Sequence, residues 1–171
     1  MKTEFSADRE AEQELYLLLT NLFLLLDDTD RQFFGEFGLS TRQFWALHHL
    51  SETDSLSMIE LSRLLLTDKS NVTAITDRLT TRGLVRRSAA PQDRRVSLLS
   101  ITPAGRQLYD LVLAAHHERI RTLIDSDEAT LRHVLQVLGA IRDRYEQHLH
   151  ARATQTSSSY TLPAADAAKT E

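Results

Sequence analysis

The sequence predicts a mainly α-helical fold with one small β-hairpin. Proline and glycine are scarce, with three and five residues among 171, so little interrupts long helices. Apolar residues recur at three- and four-residue spacing over most of the chain, which is the period of an amphipathic helix. Only residues 84–101 change to a two-residue period, which indicates strands.

The N-terminal third of the chain predicts two helices. The first is expected over about residues 10–34 and ends near Gly35 and Gly38. Its apolar face holds Leu15, Leu18, Leu19, Leu22, Leu25 and Leu26. Ser40 and Gln43 form a capping-box pattern, which predicts a second helix to about residue 51. The buried side of that helix is expected to hold Phe44, Leu47 and Leu50.

A third and a fourth helix follow, separated by a short turn. Ser57 and Glu60 repeat the capping-box pattern and predict a helix through about residue 65. Asp68 can cap the next helix, and Gly83 supplies the left-handed residue that commonly ends one. The inner face of this fourth helix is expected to hold Val72, Ile75 and Leu79.

A hairpin and two long helices complete the chain. Residues 84–87 and 96–101 have the pattern of strands, and residues 89–94 between them have turn composition. Thr102 and Pro103 predict the start of a fifth helix, which runs to about residue 124. A sixth helix is expected to open at residues 125–128 and to end near residue 148.

Two short helices followed at once by an arginine-bearing hairpin describe a winged helix-turn-helix. The predicted fold class is therefore mainly α with a small β-hairpin wing. The winged helix-turn-helix is expected over about residues 40–103, between long helices at about 10–36 and 103–149, all in one domain over residues 10–150. The two ends are expected to be flexible or disordered: residues 1–9 and the Ala/Thr/Ser-rich residues 151–171.

Composition excludes several function classes. Hydrophobic residues make up 42% and charged residues 26%, the balance of a globular protein. The absence of cysteine excludes disulfides, zinc ribbons and thiol chemistry. We see no signal peptide and no apolar run long enough to span a membrane, so we expect a cytoplasmic protein without a membrane partner. No motif brings a nucleophile and a base to one site, so we expect no enzyme and no catalytic residues.

The net charge of −4 conceals an uneven distribution. Residues 1–36 carry three bases and nine acids, a sum of −6. Residues 69–106 carry eight bases and two acids, a sum of +6. A basic segment inside an acidic protein can meet phosphates despite the net sign, although a solvated charged surface is the alternative reading of charge alone.

Two stretches of the chain resemble the DNA-binding core and the wing of MarR-family regulators. The core stretch is Glu60-Leu61-Ser62, Asp68-Lys69-Ser70-Asn71-Val72-Thr73, Asp77-Arg78-Leu79 and Arg82-Gly83-Leu84-Val85-Arg86-Arg87. The wing stretch is Asp93-Arg94-Arg95-Val96-Ser97-Leu98, followed by Leu99 to Gly105. The resemblance covers roughly residues 47–105, and the long first and last helices also match the family layout. It implies a DNA-binding transcription regulator.

A recognition helix needs small polar side chains at the end that enters the major groove. Lys69, Ser70, Asn71 and Thr73 supply them here, and Asn suits the N6/N7 edge of adenine. Ordinary exposed helix-start residues are the alternative for these four. Ala74 departs from the family, in which many members carry arginine or another long polar side chain at this position.

The arginines predict the remaining DNA contacts. Arg78 is expected to reach a phosphate or to brace the wing, with a structural salt bridge as the alternative. By resemblance, one of Arg94 and Arg95 enters the minor groove while Asp93 holds the other. We also expect DNA contacts from Arg86 and Arg87 in the wing, and phosphate contacts from Thr41 and Arg42.

The resemblance further implies a homodimer, formed through the N- and C-terminal helices, on a pseudo-palindromic operator. Family members often bind small aromatic compounds between the dimer helices and the DNA-binding lobe. Aromatic side chains are expected to line such a ligand pocket here, with plain core packing as the alternative: Phe33, Phe37, Phe44, Trp45 and His48, together with Phe34.

Two further functions are alternatives to a ligand-responsive repressor. One is a helical protein-interaction module without DNA binding, although it predicts an eroded wing. Another is a metal-responsive regulator using the pairs His48-His49 and His116-His117. Adjacent helical residues point about 100° apart and chelate poorly, so we expect neither a metal site nor a cofactor.

Overall fold

A computed structural model of the chain describes residues 4–90, 92–93 and 95–158. Six helices and three strands follow one another in this part of the chain: α1 (Glu4–Glu36), α2 (Thr41–Ser51), β1 (Leu56–Ser57), α3 (Met58–Leu64), α4 (Lys69–Thr81), β2 (Val85–Ala89), β3 (Ser97–Ile101), α5 (Pro103–Leu123) and α6 (Glu128–Ser158). The predicted fold class, mainly α with a small β wing, is confirmed. No helix in the described ranges is long and apolar enough to cross a membrane.

The elements differ from the predictions mainly at the two ends and in the sheet. Helix α1 begins at Glu4, so residues 4–9, expected to be flexible, are helical. Helix α6 continues to Ser158, into the expected disordered tail. Alanine and glutamate in these extensions favour helix even without a periodic apolar face. The rest of that tail, residues 159–171, lies outside the described residues.

The chain divides into two compact units, the first ending at Ile120 and the second beginning at Arg121. The first unit holds α1–α4, the sheet and most of α5. The second holds the last residues of α5 and all of α6.

The predicted capping boxes are confirmed. Ser40 Oγ accepts from the Gln43 backbone N–H at 3.2 Å, and Gln43 Oε1 accepts from the Ser40 N–H at 2.8 Å. Ser57 and Glu60 make the same reciprocal pair at 3.2 and 2.7 Å. These bonds satisfy backbone groups that a helix start leaves free, and they fix where α2 and α3 begin.

The hairpin belongs to a three-stranded antiparallel sheet with strand order β1-β3-β2. Val85 pairs with Ile101 and Ala89 with Ser97, while Leu56 of β1 pairs with Leu99 on the other side of β3. The sequence did not predict β1, because two residues are too few to show alternation. This strand links α3 directly to the wing, since it ends at Ser57, the cap of α3.

The core of the first unit packs the inner face of α4 against its neighbours. Val72 and Leu79 are fully buried, and Ile75 is nearly so, as predicted. Other fully buried side chains come from every surrounding element: Phe34, Phe44, Leu47, Leu50, Leu61, Leu99 and Val112. The opposite face of α4 therefore has a fixed position relative to the sheet.

Thr102 joins the end of α4, the sheet and α5. Its Oγ1 donates to the Gly83 carbonyl oxygen at 2.7 Å and accepts from the Gly105 N–H at 3.0 Å, and its N–H donates to the Leu84 carbonyl oxygen at 3.0 Å. Gly83 has a φ of +68°, a left-handed conformation that suits glycine. A Cβ on Gly105 would lie 2.1 Å from the Leu84 carbonyl oxygen. The backbone of α5 reaches the sheet only because residue 105 has no side chain.

We therefore expect Gly105→Ala to destabilise the protein by about 3 kcal/mol, because backbone must move to admit the methyl group. Gly139→Ala in α6 is the matched control, since a Cβ there meets nothing within 4 Å. The control should gain roughly 0.5–1 kcal/mol from reduced backbone freedom. Urea denaturation of both variants measures the difference, and equal stabilities would contradict this account of Gly105.

Candidate DNA interface

Helices α3 and α4 form a helix-turn-helix with a tight turn at residues 65–68. Leu66 adopts a left-handed φ of +47° in this turn, unusual for a residue with a side chain. Its side chain is 84% exposed, so the turn is not held by burial of Leu66. The turn brings the start of α4, with its free backbone N–H groups, to the protein surface.

The predicted base-reading residues surround the Asp68 cap. Ser70 Oγ donates to Asp68 Oδ1 at 2.5 Å, and Asn71 Nδ2 donates to Asp68 Oδ2 at 2.8 Å. The Ser70 hydroxyl and the Asn71 backbone N–H lower the pKa of Asp68, so its carboxylate is ionised at neutral pH. Ser70, Asn71 and Lys69 are all exposed. The first two are held in defined positions by the cap of their own helix.

Thr73 and Ala74 occupy the next turn of α4. The Thr73 hydroxyl donates to the Lys69 carbonyl oxygen at 2.9 Å, and the residue is half-buried. Ala74 is exposed and borders a groove between α4 and the start of α2. Thr73 therefore presents less polar surface than its three predicted partners.

Arg87 ties the wing to α4. Its Nη2 lies 2.7 Å from Asp77 Oδ1 and also donates to Thr76 Oγ1. The sequence predicts a DNA contact for Arg87; in the structure its guanidinium is engaged by Asp77 and Thr76, and its side chain is 33% exposed. Arg87 thus makes the brace between the wing and α4 that the sequence offers as one role for Arg78. Arg86, the preceding residue on β2, is exposed and has no side-chain partner in the described part of the chain.

Asp93 shapes the tip of the wing. Its Oδ1 accepts from the Arg95 backbone N–H at 2.9 Å, and its carbonyl oxygen accepts from the Val96 N–H at 3.0 Å. The resemblance implied that Asp93 holds an arginine; the observed contact is with the backbone of Arg95. Arg95 is exposed, and Arg94 lies outside the described residues.

The remaining predicted phosphate contacts lie where α2 begins. Thr41 is half-buried, and Arg42 is exposed. Arg42 and Arg78 border the same groove between α2 and α4. Arg86 and Arg95 lie on the wing, a different part of the surface. The structure thus gives two groups of exposed arginines, one along the groove between α2 and α4 and one on the wing.

The aromatic residues predicted to line a ligand pocket form one cluster. Phe44 is 1% exposed, and its ring stacks on that of Phe34 at a centroid distance of 4.2 Å, so both are core residues. Phe33 and Phe37 are half-buried beside them. Trp45 is 39% exposed and meets His48 edge-on. His48 Nδ1 lies 2.8 Å from the Tyr109 hydroxyl oxygen, which fixes its ring.

A half-buried charged group next to this cluster was not predicted from sequence. Asp30 Oδ1 lies 3.2 Å from Arg119 Nη1 and 3.6 Å from His116 Nε2. The Arg119 guanidinium lies 5.0 Å from the centre of the Phe33 ring. Burial lowers the pKa of His116 from its ordinary 6.5, more than Asp30 raises it. Within the described residues no group of three or more His, Asp or Glu is arranged to hold a metal ion.

Comparison of the sequence with known proteins matches this region to a family. Residues 37–96 match the model described as MarR family. The chain is 26% identical over 108 residues to the uncharacterized HTH-type transcriptional regulator YsmB of Bacillus subtilis. That match covers 63% of this chain and 74% of YsmB.

Comparison with solved structures gives the same fold. The transcriptional regulator BldR from Sulfolobus solfataricus is 27% identical, with a TM-score of 0.67 over 77% of this chain and 96% of BldR. Sco3205, a MarR family regulator from Streptomyces coelicolor solved in complex with DNA, has a TM-score of 0.71. It is 20% identical over 78% of this chain and 86% of Sco3205.

A helix-turn-helix with an exposed polar start to its second helix, beside a hairpin braced against that helix, defines a winged helix-turn-helix protein. Together with the comparisons, which match residues 37–96 to the MarR family and show similarity to HTH-type transcriptional regulators, it supports a DNA-binding transcriptional regulator of MarR type. The family resemblance seen in the sequence is thereby confirmed. The relatives are regulators and not enzymes, as expected for this chain.

Removing the Asp77–Arg87 brace should loosen the wing. A double-mutant cycle of Asp77→Ala and Arg87→Ala should give a coupling of roughly 1 kcal/mol, because the pair is partly shielded and tied to Thr76. The exposed Glu128–Arg132 pair of α6 is the matched control and should give about 0.3–0.5 kcal/mol. Urea denaturation supplies the free energies. A coupling at Asp77–Arg87 no larger than the control would contradict the brace.

Burial of His116 should make stability depend on pH. Because its pKa is lowered in the folded state, the unfolded state binds more protons, so stability is full above about pH 6.5 and is lost as the pH falls below it. Burial also lowers the pKa of His49, which adds to the loss. Urea denaturation between pH 7.5 and 5.5 should show a shallower loss for His116→Gln than for wild type. An unchanged slope in His116→Gln would refute the effect.

Proposed function

We propose that this protein is a homodimeric repressor that binds a pseudo-palindromic operator. The start of α4 enters the major groove, and the wing reaches the adjacent minor groove. The observation that carries the proposal is the fixed position of α4: its inner face is buried, its wing is braced by Arg87, and its polar start is exposed. We place its action in the cytoplasm, with the DNA it binds.

The candidates for contact are the predicted DNA-binding residues at the start of α4, at the start of α2 and on the wing. Lys69, Ser70 and Asn71 are proposed to meet bases or nearby phosphates, although Ser70 and Asn71 must exchange their bonds to Asp68 for bonds to DNA. Arginine suits the narrow and negative minor groove, so Arg95 or Arg94 is proposed to enter it. Backbone contacts are proposed for the remaining members: Thr41, Arg42, Arg78 and Arg86.

A second copy of the chain is proposed to cover the long helices. Helix α1 exposes a run of large apolar side chains that water does not favour, with Phe23 at 66% and Leu25 at 65% exposure. Helices α5 and α6 expose others, among them Leu111 at 60% and Leu135 at 69%. Two-fold pairing would set two α4 helices about one helical turn of DNA apart, roughly 34 Å.

A small aromatic ligand is proposed to modulate DNA affinity. The proposed contacts are the partly exposed members of the aromatic cluster: Phe33, Phe37, Trp45 and His48. Aromatic surface with a few polar atoms suits such compounds. Phe44 contributes to this region only from the core behind it.

Fluorescence anisotropy tests the proposal with a labelled duplex from immediately upstream of the gene. Wild type should bind it more tightly than a random duplex, with two chains per duplex in sedimentation velocity. Arg94→Ala/Arg95→Ala should bind at least about tenfold more weakly, because it loses the minor-groove contact. Arg132→Ala, which removes a charge from α6, is the control and should bind as wild type does.

Two outcomes would overturn the proposal. No binding to either duplex at low salt would exclude DNA as the partner. One chain per duplex with full affinity would exclude the dimer.

A further inference from the structure

A groove separates the start of α2 from α4 on the protein surface. Its volume is about 220 Å³, and its walls include Arg42, Gln43, Asn71, Ala74 and Arg78. A wider hollow of about 500 Å³ lies beside it, and both are lined by Gln43 and Arg78. Asp77, the acid of the wing brace, lines the wider hollow but not the groove.

Gln43 directs hydrogen-bond donors into this groove. The residue is 93% buried, and its Oε1 is used by the Ser40 N–H in the capping box. Its Nε2 has no hydrogen-bond partner in the described part of the chain. Every fully buried side-chain nitrogen or oxygen atom in that part does have a partner, so this Nε2 is not fully buried. That nitrogen therefore keeps access to solvent, which it reaches through the groove that Gln43 lines.

The charges around the groove are positive. Arg42 and Arg78 are exposed, and neither has an ion pair or a side-chain hydrogen bond within the described ranges. No acid is among the residues that line the groove, and Asp77, which lines the wider hollow beside it, is paired with Arg87 at 2.7 Å. Two guanidinium groups and one amide thus offer several N–H donors to an oxyanion in the groove, while the Asp77 carboxylate in the adjoining hollow is paired with Arg87.

The small side chain of Ala74 leaves the groove open. It stands on the wall between Asn71 and Arg78, one helical turn from each. A long side chain at this position would project into the same space. The groove is therefore a specific feature of a recognition helix with alanine here.

We propose that this groove holds one phosphate group, bound jointly by Gln43, Arg42 and Arg78. This inference rests on the proposed function, because we assign the phosphate to the DNA backbone: the groove opens beside the exposed start of α4. Gln43 then has two tasks with its two amide atoms. Its oxygen accepts from the backbone N–H of Ser40 and fixes the start of α2, and its nitrogen donates to the phosphate. One side chain thus positions the DNA phosphate relative to the start of α2.

The salt dependence of binding tests whether the two arginines share a phosphate. Each phosphate neutralised contributes roughly 0.9 to the slope of log K against log salt. Arg42→Ala/Arg78→Ala should therefore lose about 1.8 of the wild-type slope in the upstream duplex, because the proposed homodimer holds one such phosphate in each of its two half-sites. A loss of about 3.6 would mean two separate phosphates in each half-site, and no loss would mean none. Either result overturns the proposal, and Arg132→Ala is the control.

Gln43→Glu isolates the amide nitrogen. Glutamate keeps the capping-box acceptor for Ser40 but replaces the donor with a carboxylate. We expect DNA binding at least about tenfold weaker, with circular dichroism unchanged. Glu60→Gln makes the reverse exchange in the other capping box, away from the groove, and should bind as wild type does. Wild-type affinity in Gln43→Glu would refute the role of Gln43.

Duplexes with one neutral methylphosphonate at successive positions locate the phosphate. At one position in each half-site, the methylphosphonate should weaken binding by wild type. At the same position it should not weaken binding by Arg42→Ala/Arg78→Ala any further, because that variant has already lost the contact. If no position behaves in this way, the assignment to DNA is refuted.

Inorganic phosphate replacing chloride at constant ionic strength tests a free anion as the occupant. Strong inhibition by it, with no sensitive backbone position, would replace DNA with a free phosphate. If wild type binds no duplex at all, the proposed function itself fails.

Discussion

Burial of one face of α4 is the constraint on which the rest of the first unit depends. Val72 and Leu79 have no exposed surface, so α4 cannot rotate without taking apolar surface into water. The capping groups, the Arg87 brace and the Thr102 junction then fix its ends and its neighbours. Each of them acts on a helix whose orientation the core has already set.

Much of this arrangement could be predicted because it depends on local chemistry. The capping boxes of Ser40 and Ser57 and the inner residues of α4 follow from spacing alone. The site could be predicted less completely, since its residues are fixed by contacts distant in sequence. The alternation of β2 indicates on which face of the strand Arg87 lies, but it does not indicate that Asp77 of α4 lies within ion-pair distance of it. The capping-box pattern already accounts for a glutamine at position 43 through its Oε1, so the sequence offers no reason to assign a role to its Nε2.

The electrostatic arrangement resolves how a chain of net charge −4 presents a basic surface. Both acids of the basic segment have partners within the protein: Asp77 forms an ion pair with Arg87, and Asp93 accepts a hydrogen bond from the backbone N–H of Arg95. Asp30 in α1 is likewise held by Arg119 beside a buried histidine. The arginines left without partners in the described residues therefore determine the field near α4, more than the sum of charges does.

The hydrogen bonds of Ser70 and Asn71 to Asp68 have a consequence for the rate and selectivity of recognition. Both side chains are ordered before DNA arrives, so binding loses little rotamer entropy. Any base that they read must offer better partners than a carboxylate already in place. Asp68 thus acts as an internal competitor. Opposite a base with poorer acceptors, Ser70 and Asn71 keep their hydrogen bonds to Asp68, and the protein gains no base contact that would slow its dissociation.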